Sequence, residues 1–163
     1  GVGVPGELVT SGVGLARGYL NQPELTTAAF GSAPWDAERR IYRTGDLARL
    51  DDEGFCYIVD RAKDMIIRGG ENIYSSEVEN VLYDHPAVMD AALVDIDHKM
   101  LGEEPAAIVQ LVPGQEASEA ELQAWVRERL ASFKVPVKIL FRTESLPRNA
   151  NGKILKKDLK SLF

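Results

Sequence analysis

The sequence predicts an α+β protein in two parts, and three observations carry that prediction. Up to about Arg61 the chain reads as short β-forming runs separated by glycine- and aspartate-rich turns. From Lys63 onward helical and strand patterns alternate, as they do where helices pack on a sheet. Between them lies the dense charged run Asp60-Arg61-Ala62-Lys63-Asp64, so residues 1–62 and 63–163 are expected to be separate domains.

In the first part, Glu7–Ser11 is short, rich in β-formers and flanked by glycines, which predicts a strand. Pro23–Phe30 reads as a short helix, with Asn21 as its cap and Pro23 in its first turn. Residues 31–40 read as a loop around Pro34 and Trp35. Ile41–Tyr42, Leu47–Leu50 and Phe55–Asp60 are expected strands, the last two joined into a hairpin by Asp51-Asp52-Glu53-Gly54. Cys56 falls inside the last strand and is expected to be a small buried hydrophobe rather than a reactive thiol.

In the second part, Met65–Arg68 is a short strand and Gly69-Gly70 a tight turn. Ser76–Tyr83 follows Ser75 or Ser76 as N-cap, with Val78, Val81 and Leu82 on one stripe. Residues 88–96 and 106–112 are strands divided by a charged loop. Ser118–Leu130 carries the clearest helical signal: Ser118 with Glu121 forms a capping box, and Leu122, Trp125, Val126 and Leu130 recur at helical spacing. Lys138–Phe141 is a strand, Pro147–Gly152 a loop and Lys156–Leu162 a terminal helix whose Lys156, Lys157 and Lys160 read as surface charge.

Composition narrows the function classes. The 163 residues are 45% hydrophobic and 27% charged, an ordinary globular balance. A formal net charge of −6 argues against nucleic-acid binding, since no basic field exists to neutralise phosphates. No apolar run approaches the ~20 residues of a membrane span. The opening Gly1–Gly6 lacks the basic start of a signal peptide, and the single cysteine fits a reducing, cytoplasmic setting. The opening also reads as a chain entered partway through a larger protein.

Three segments place polar groups in loops. In Tyr42-Arg43-Thr44-Gly45-Asp46-Leu47 a carboxylate follows a glycine turn, where it would accept hydrogen bonds from a ribose diol or merely cap nearby backbone. Arg68-Gly69-Gly70-Glu71-Asn72, after Asp60–Asp64, combines a backbone that a ligand can approach closely with arginines suited to phosphate; the alternative is a solvated charged face. Pro147-Arg148-Asn149-Ala150-Asn151-Gly152-Lys153 presents a lysine in a turn-rich loop, which alone would be a surface lysine. No segment has the GxxxxGK[ST] phosphate-loop pattern. His85, in Asp84-His85-Pro86, reads as a turn residue and His98 as a solvated one.

Taken in order, and preceded by Gly6-Glu7-Leu8 and Ala16-Arg17-Gly18-Tyr19-Leu20, these segments closely resemble the adenylate-forming (AMP-binding) superfamily of acyl- and aryl-CoA ligases, luciferases and peptide-synthetase adenylation domains. The resemblance runs from about Gly6 to the last helix. It implies the β-rich tail of a large adenylating domain (residues 1–62), followed by a small mobile α+β C-terminal lid (63–163). It implies two half-reactions: an acid attacks the α-phosphate of ATP, and the thiol of coenzyme A then displaces AMP. Asp46 would bind the ribose hydroxyls and Arg61 the ribose or phosphate. Lys63 would be the hinge and Lys153 would serve adenylation. Gly69, Gly70 and Glu71 would line the pantetheine channel for the second step, and Phe133 and Lys138 would lie near the CoA nucleotide. Mg²⁺ would arrive with ATP, no metal being held by protein ligands. The phosphate loop and acid pocket of the family would lie upstream, in the remainder of the large domain, so this chain alone would be inactive.

Gly69-Gly70-Glu71-Asn72-Ile73-Tyr74 resembles the CoA-forming members. A peptide-synthetase-type adenylation domain that loads a carrier protein is the alternative enzyme reading. An isolated, non-catalytic interaction module is the alternative outside catalysis.

Overall fold

The computed structural model describes residues 2–163, which divide after Lys63 into two compact units. In the first, a four-stranded antiparallel sheet is organised around one long strand. This strand, β3 (Asp36–Leu50), pairs with β1 (Gly6–Ser11), β2 (Phe30–Ala33) and β4 (Cys56–Arg61), and the helix α1 (Pro23–Ala29) leads into β2. Pro23 opens α1, where a missing backbone N–H costs nothing. The cap is Gln22 rather than Asn21, and its side chain makes no capping bond; Asn21 instead takes a left-handed turn at φ 55°.

Two expectations for this unit are corrected. Residues 31–40 are not a loop: β2 and the start of β3 pair there, from Phe30↔Tyr42 to Ser32↔Arg40. The polar run Asp36-Ala37-Glu38-Arg39-Arg40 is exposed on both faces, so backbone pairing rather than burial makes it a strand, and hydropathy carries no trace of it. Cys56 is exposed, not buried. One sheet with one short helix cannot cover both faces, and Leu50, Phe55, Tyr57 and Ile58 are exposed beside it.

The second unit is a three-layer sandwich. Strands β5 (Ile66–Arg68), β6 (Glu71–Ile73), β7 (Val88–His98), β8 (Gly102–Leu111) and β9 (Lys138–Arg142) form one mixed sheet, in which β9 runs parallel to β8. Alternation along β7 and β8 sends side chains to opposite faces. Ala91, Leu93, Ala107 and Val109 pack with Val78, Leu82, Leu122 and Val126, from helices α2 (Ser75–Tyr83) and α3 (Glu119–Arg127). Ala92, Val94, Ala106 and Ile108 pack with Leu146 and with Leu159 of α4 (Lys156–Lys160). A strand buried on both faces reads as a continuous apolar run, which explains Ala91-Ala92-Leu93-Val94 and Ala106-Ala107-Ile108-Val109.

The caps divide the two larger helices. Ser118 Oγ accepts from the backbone N–H of Glu121 at 3.2 Å, one half of the expected capping box. At α2 neither serine caps: Tyr74 occupies the position, while Ser75 donates its hydroxyl to the Asp64 carbonyl at 2.5 Å and so ties the helix start to the unit's first residue. The Trp125 indole N–H donates to the Val81 carbonyl at 2.8 Å and locks α3 to α2. His85 is buried, its ring edge-on to Trp125, with Nδ1 accepting from the Ala87 N–H at 3.2 Å. It is indeed a turn residue. His98 ends β7 half-buried and accepts from the N–H groups of Met100 and Leu101, so it is more structural than its charged surroundings suggested. No helix among the described residues is long and apolar enough to cross a membrane.

Candidate functional site

In the first unit Asp46 and Arg61 are register partners across β3 and β4. Two steps along β1, from Glu7 to Val9, oppose four along β3, from Leu47 back to Arg43, so Thr44, Gly45 and Asp46 bulge out of the β1 ladder while Asp46 keeps its register with Arg61 on β4. Gly45 supplies the required left-handed backbone at φ 73°. Thr44 pins the bulge, donating its hydroxyl to the Leu8 carbonyl at 2.8 Å and accepting from the Asp46 N–H at 3.0 Å. Arg61 Nε lies 2.8 Å from Asp46 Oδ1, with the two side chains 48% and 28% exposed. The carboxylate is thus partly open to solvent and keeps Oδ2 for a further donor, the acceptor capacity that a vicinal diol requires. Beside it Arg43 grips Glu7, Nη2 to Oε2 at 2.7 Å.

In the second unit Gly69 and Gly70 form the two-residue turn of the β5–β6 hairpin, between the paired residues Arg68 and Glu71. Both have positive φ, 58° and 92°, the backbone of the tight hairpin turn that glycine pairs favour. The Gly69 N–H donates to the Leu101 carbonyl at 2.8 Å, which holds the turn against the tip of the β7–β8 hairpin. A side chain on Gly70 would meet nothing within 4 Å, so the turn presents bare backbone to open space. Arg68, which sequence reasoning marked for phosphate, is engaged instead with Glu104 at 3.0 Å, and its Nε is buried without a partner. The Glu71–Ile73 strand was not foreseen; it is three residues long and visible only through its pairing.

Lys153 stands in a small hairpin closed by the Arg148↔Ile154 bridge. Asn149 Oδ1 accepts from the N–H groups of Asn151 and Lys153 at 3.0 and 2.9 Å, and the Asn149 N–H donates to the Lys153 carbonyl at 2.9 Å. The backbone is therefore fixed while the Lys153 side chain is 46% exposed, its ammonium 3.7 Å from Asp64 Oδ2. At 3.7 Å the pair is longer than a hydrogen bond, so Asp64 holds the ammonium only loosely. Asp64 opens the second unit, next to Lys63 in the 3₁₀ turn Ala62–Asp64.

The lysines of α4 are less ordinary than expected. Lys156 pairs with Glu79 of α2 at 2.7 Å and Lys160 with Asp95 of β7, so α4 is tied to one residue of each element. Hydrogen bonding to Asp95 holds the Lys160 ammonium above its usual range, against a smaller opposing effect of burial. Phe133 packs against the core on the α2–α3 face, whereas Lys138 reaches Phe163 beside α4, with the ammonium 5.4 Å from that ring. Ile139, the next residue of β9, points to the α2–α3 face and Lys138 therefore to the other, so Phe133 and Lys138 lie against different faces and form no common surface. Among the described residues no group of three or more His, Cys, Asp or Glu side chains is placed to hold a metal ion.

This arrangement matches known proteins. Residues 77–153 match the family model of the AMP-binding enzyme C-terminal domain, a match that ends on Lys153. The chain belongs to the AMP-binding, adenylate-forming family. It is 43% identical to the 2-succinylbenzoate–CoA ligase of Geobacillus kaustophilus over 97% of this chain and 31% of that protein. It is 41% identical to the mitochondrial medium-chain acyl-CoA ligase ACSF2 of Rattus norvegicus, over 94% of this chain and 24% of that protein. Among solved structures, the o-succinylbenzoate CoA synthetase MenE of Bacillus subtilis, in complex with its acyl-adenylate intermediate, superposes with a TM-score of 0.85 at 39% identity. That match covers 98% of this chain and 31% of the synthetase. The chain thus spans about a third or less of the length of the relatives it matches.

Proposed function

We propose that this chain is the C-terminal part of an ATP-dependent carboxylic acid–CoA ligase, in which the second unit acts as a lid serving two half-reactions. The observation that carries the reading is Lys153: a fixed hairpin presents a weakly held ammonium beside Asp64, the first residue of the second unit. In adenylation Lys153 neutralises charge that builds between the acid carboxylate and the α-phosphate of ATP. Asp46 accepts the ribose hydroxyls, and Arg61, already on Oδ1, orients that carboxylate and reaches ribose or phosphate. For thioester formation the lid turns at Lys63 and brings in the Gly69-Gly70 turn, whose bare backbone lets the pantetheine of CoA pass, with Glu71 at its rim. Phe133 and Lys138 are secondary candidates for the CoA nucleotide, and their separate placement favours at most one of them. Mg²⁺ comes with ATP and is held by its phosphates.

The first unit has its own reason to need a partner. Of its apolar side chains only Ala33 and Ile41 are buried among the described residues, while Leu50, Phe55, Tyr57 and Ile58 line exposed sheet. The remainder of a large ATP- and acid-binding domain is the covering partner we propose. The setting is cytoplasmic, in fatty or aryl acid metabolism. The test is a panel of carboxylic acids scored by CoA-dependent AMP release in the full-length protein. Release with one acid class supports the ligase; ATP consumption that ignores CoA and acid overturns it.

A further inference from the structure

The hairpin that carries Lys153 is fastened to the sheet by one continuous set of polar contacts. Arg148 forks: Nη1 donates to the Gly152 carbonyl at 2.8 Å, inside the hairpin, and Nη2 meets Asp90 Oδ2 at 2.6 Å, on strand β7. Asp90 is buried, and its other oxygen, Oδ1, accepts from the Tyr83 hydroxyl at 2.6 Å and from the Ala91 N–H at 3.0 Å. Tyr83 is the last residue of α2. One guanidinium therefore bridges the residue before Lys153 to a carboxylate that a helix and a strand both hold in place. Hydrogen bonding to Asp90 raises the Arg148 pKa, and burial followed by the Asp90 contact raises that of Tyr83, so the guanidinium cation and the neutral phenol are the forms the structure favours.

We propose that Arg148, held by Asp90 and Tyr83, is a positioning residue for adenylation: it sets where the Lys153 ammonium can reach. The inference rests on the role proposed for Lys153. Arg148 itself touches no reacting atom. Its fork matches carbonyl and carboxylate together, which a lysine, with a single point of charge, cannot fully reproduce. A misplacement of about 1 Å in a reacting group costs on the order of 100-fold in rate. Ile154 packs the hairpin onto the apolar face that includes Ala92 and Val94 of β7, and Arg148 adds a directional polar anchor to that strand.

The experiment uses the full-length protein and measures the half-reactions separately: acid-dependent pyrophosphate–ATP exchange, and thioester formation from supplied acyl-adenylate and CoA. Arg148→Met is expected to slow exchange about 10- to 100-fold and to leave the thioester step within about 2-fold. Arg148→Lys recovers part of the loss. Tyr83→Phe, which removes one hydroxyl and spares the ion pair, gives a smaller loss in exchange alone. In a Lys153→Ala background Arg148→Met adds no further loss, because the group it positions is gone. Equal loss in both half-reactions, unimpaired exchange, or losses that multiply with Lys153→Ala would each overturn the positioning role. If Lys153→Ala itself leaves exchange intact, the failure lies with the lysine and the ligase mechanism; if Lys153→Ala slows exchange and Arg148→Met does not, it lies with the clamp alone.

Discussion

Replacing Gly70 with alanine separates what the turn does for folding from what it does for chemistry. Gly70 has φ 92°, and an L-residue held in left-handed backbone costs ~1–2 kcal/mol. Nothing stands within 4 Å of the added Cβ, so that strain is the whole structural penalty. At Gly69 the φ of 58° carries similar strain, but the Cβ would lie 3.1 Å from Leu101 Cδ2, and that flexible side chain must shift by a few tenths of an ångström. The two variants should therefore lose comparable stability, Gly69→Ala slightly more. With a urea dependence of ~1–3 kcal/mol per molar, each midpoint falls by roughly 0.3–2 M. Trp125, bonded to Val81 in the same unit, is the fluorescence reporter, while Trp35 is 68% exposed and changes less on unfolding. In the full-length protein Gly70→Ala should also slow thioester formation from supplied acyl-adenylate, with adenylation nearly intact, because the methyl group projects into the space proposed for the thiol. Unchanged thioester formation, or equal loss in both half-reactions, would refute the channel; an unchanged midpoint would refute the strain.

Further outcomes follow from the same structure. Lys63→Pro fixes a dihedral at the junction of the two units and is expected to spare adenylation while blocking the thioester step, read by the same paired assays. Ser118→Ala removes the acceptor for the Glu121 N–H and should cost about 1 kcal/mol in the urea unfolding of the second unit. Tyr83 has its pKa raised above 10.0, chiefly by burial, so the unfolded phenol ionises first; its contribution is intact below that pH and is lost as pH climbs towards the folded value. An ultraviolet titration should show a late-ionising phenol that disappears in Tyr83→Phe.

How much was legible in the sequence depended on the range of each interaction. Local signals worked: Ser118 three residues before Glu121, Pro23 at a helix start, and the Gly69-Gly70 turn all became the elements expected of them. The order of the loop motifs indicated the family, because each keeps its residue types within a few positions. Long-range choices were hidden. Whether Ser75 caps its helix or bonds Asp64, eleven residues away, is settled by tertiary packing. The Arg148–Asp90 pair spans 58 residues, and nothing at either position distinguishes it from surface charge. Residues 36–40 became strand through backbone pairing while their side chains stayed exposed. Arg68 reads as a phosphate ligand only until Glu104 is seen beside it.

The most direct measurement is Lys153→Ala in the full-length protein, with the two half-reactions assayed apart. Loss of one preorganised charge should slow acyl-adenylate formation by ~100- to 1,000-fold and leave conversion of supplied acyl-adenylate with CoA nearly unchanged. Equal loss in both, or adenylation at the unmodified rate, would contradict the assignment of the ammonium to the first step and with it the two-faced lid.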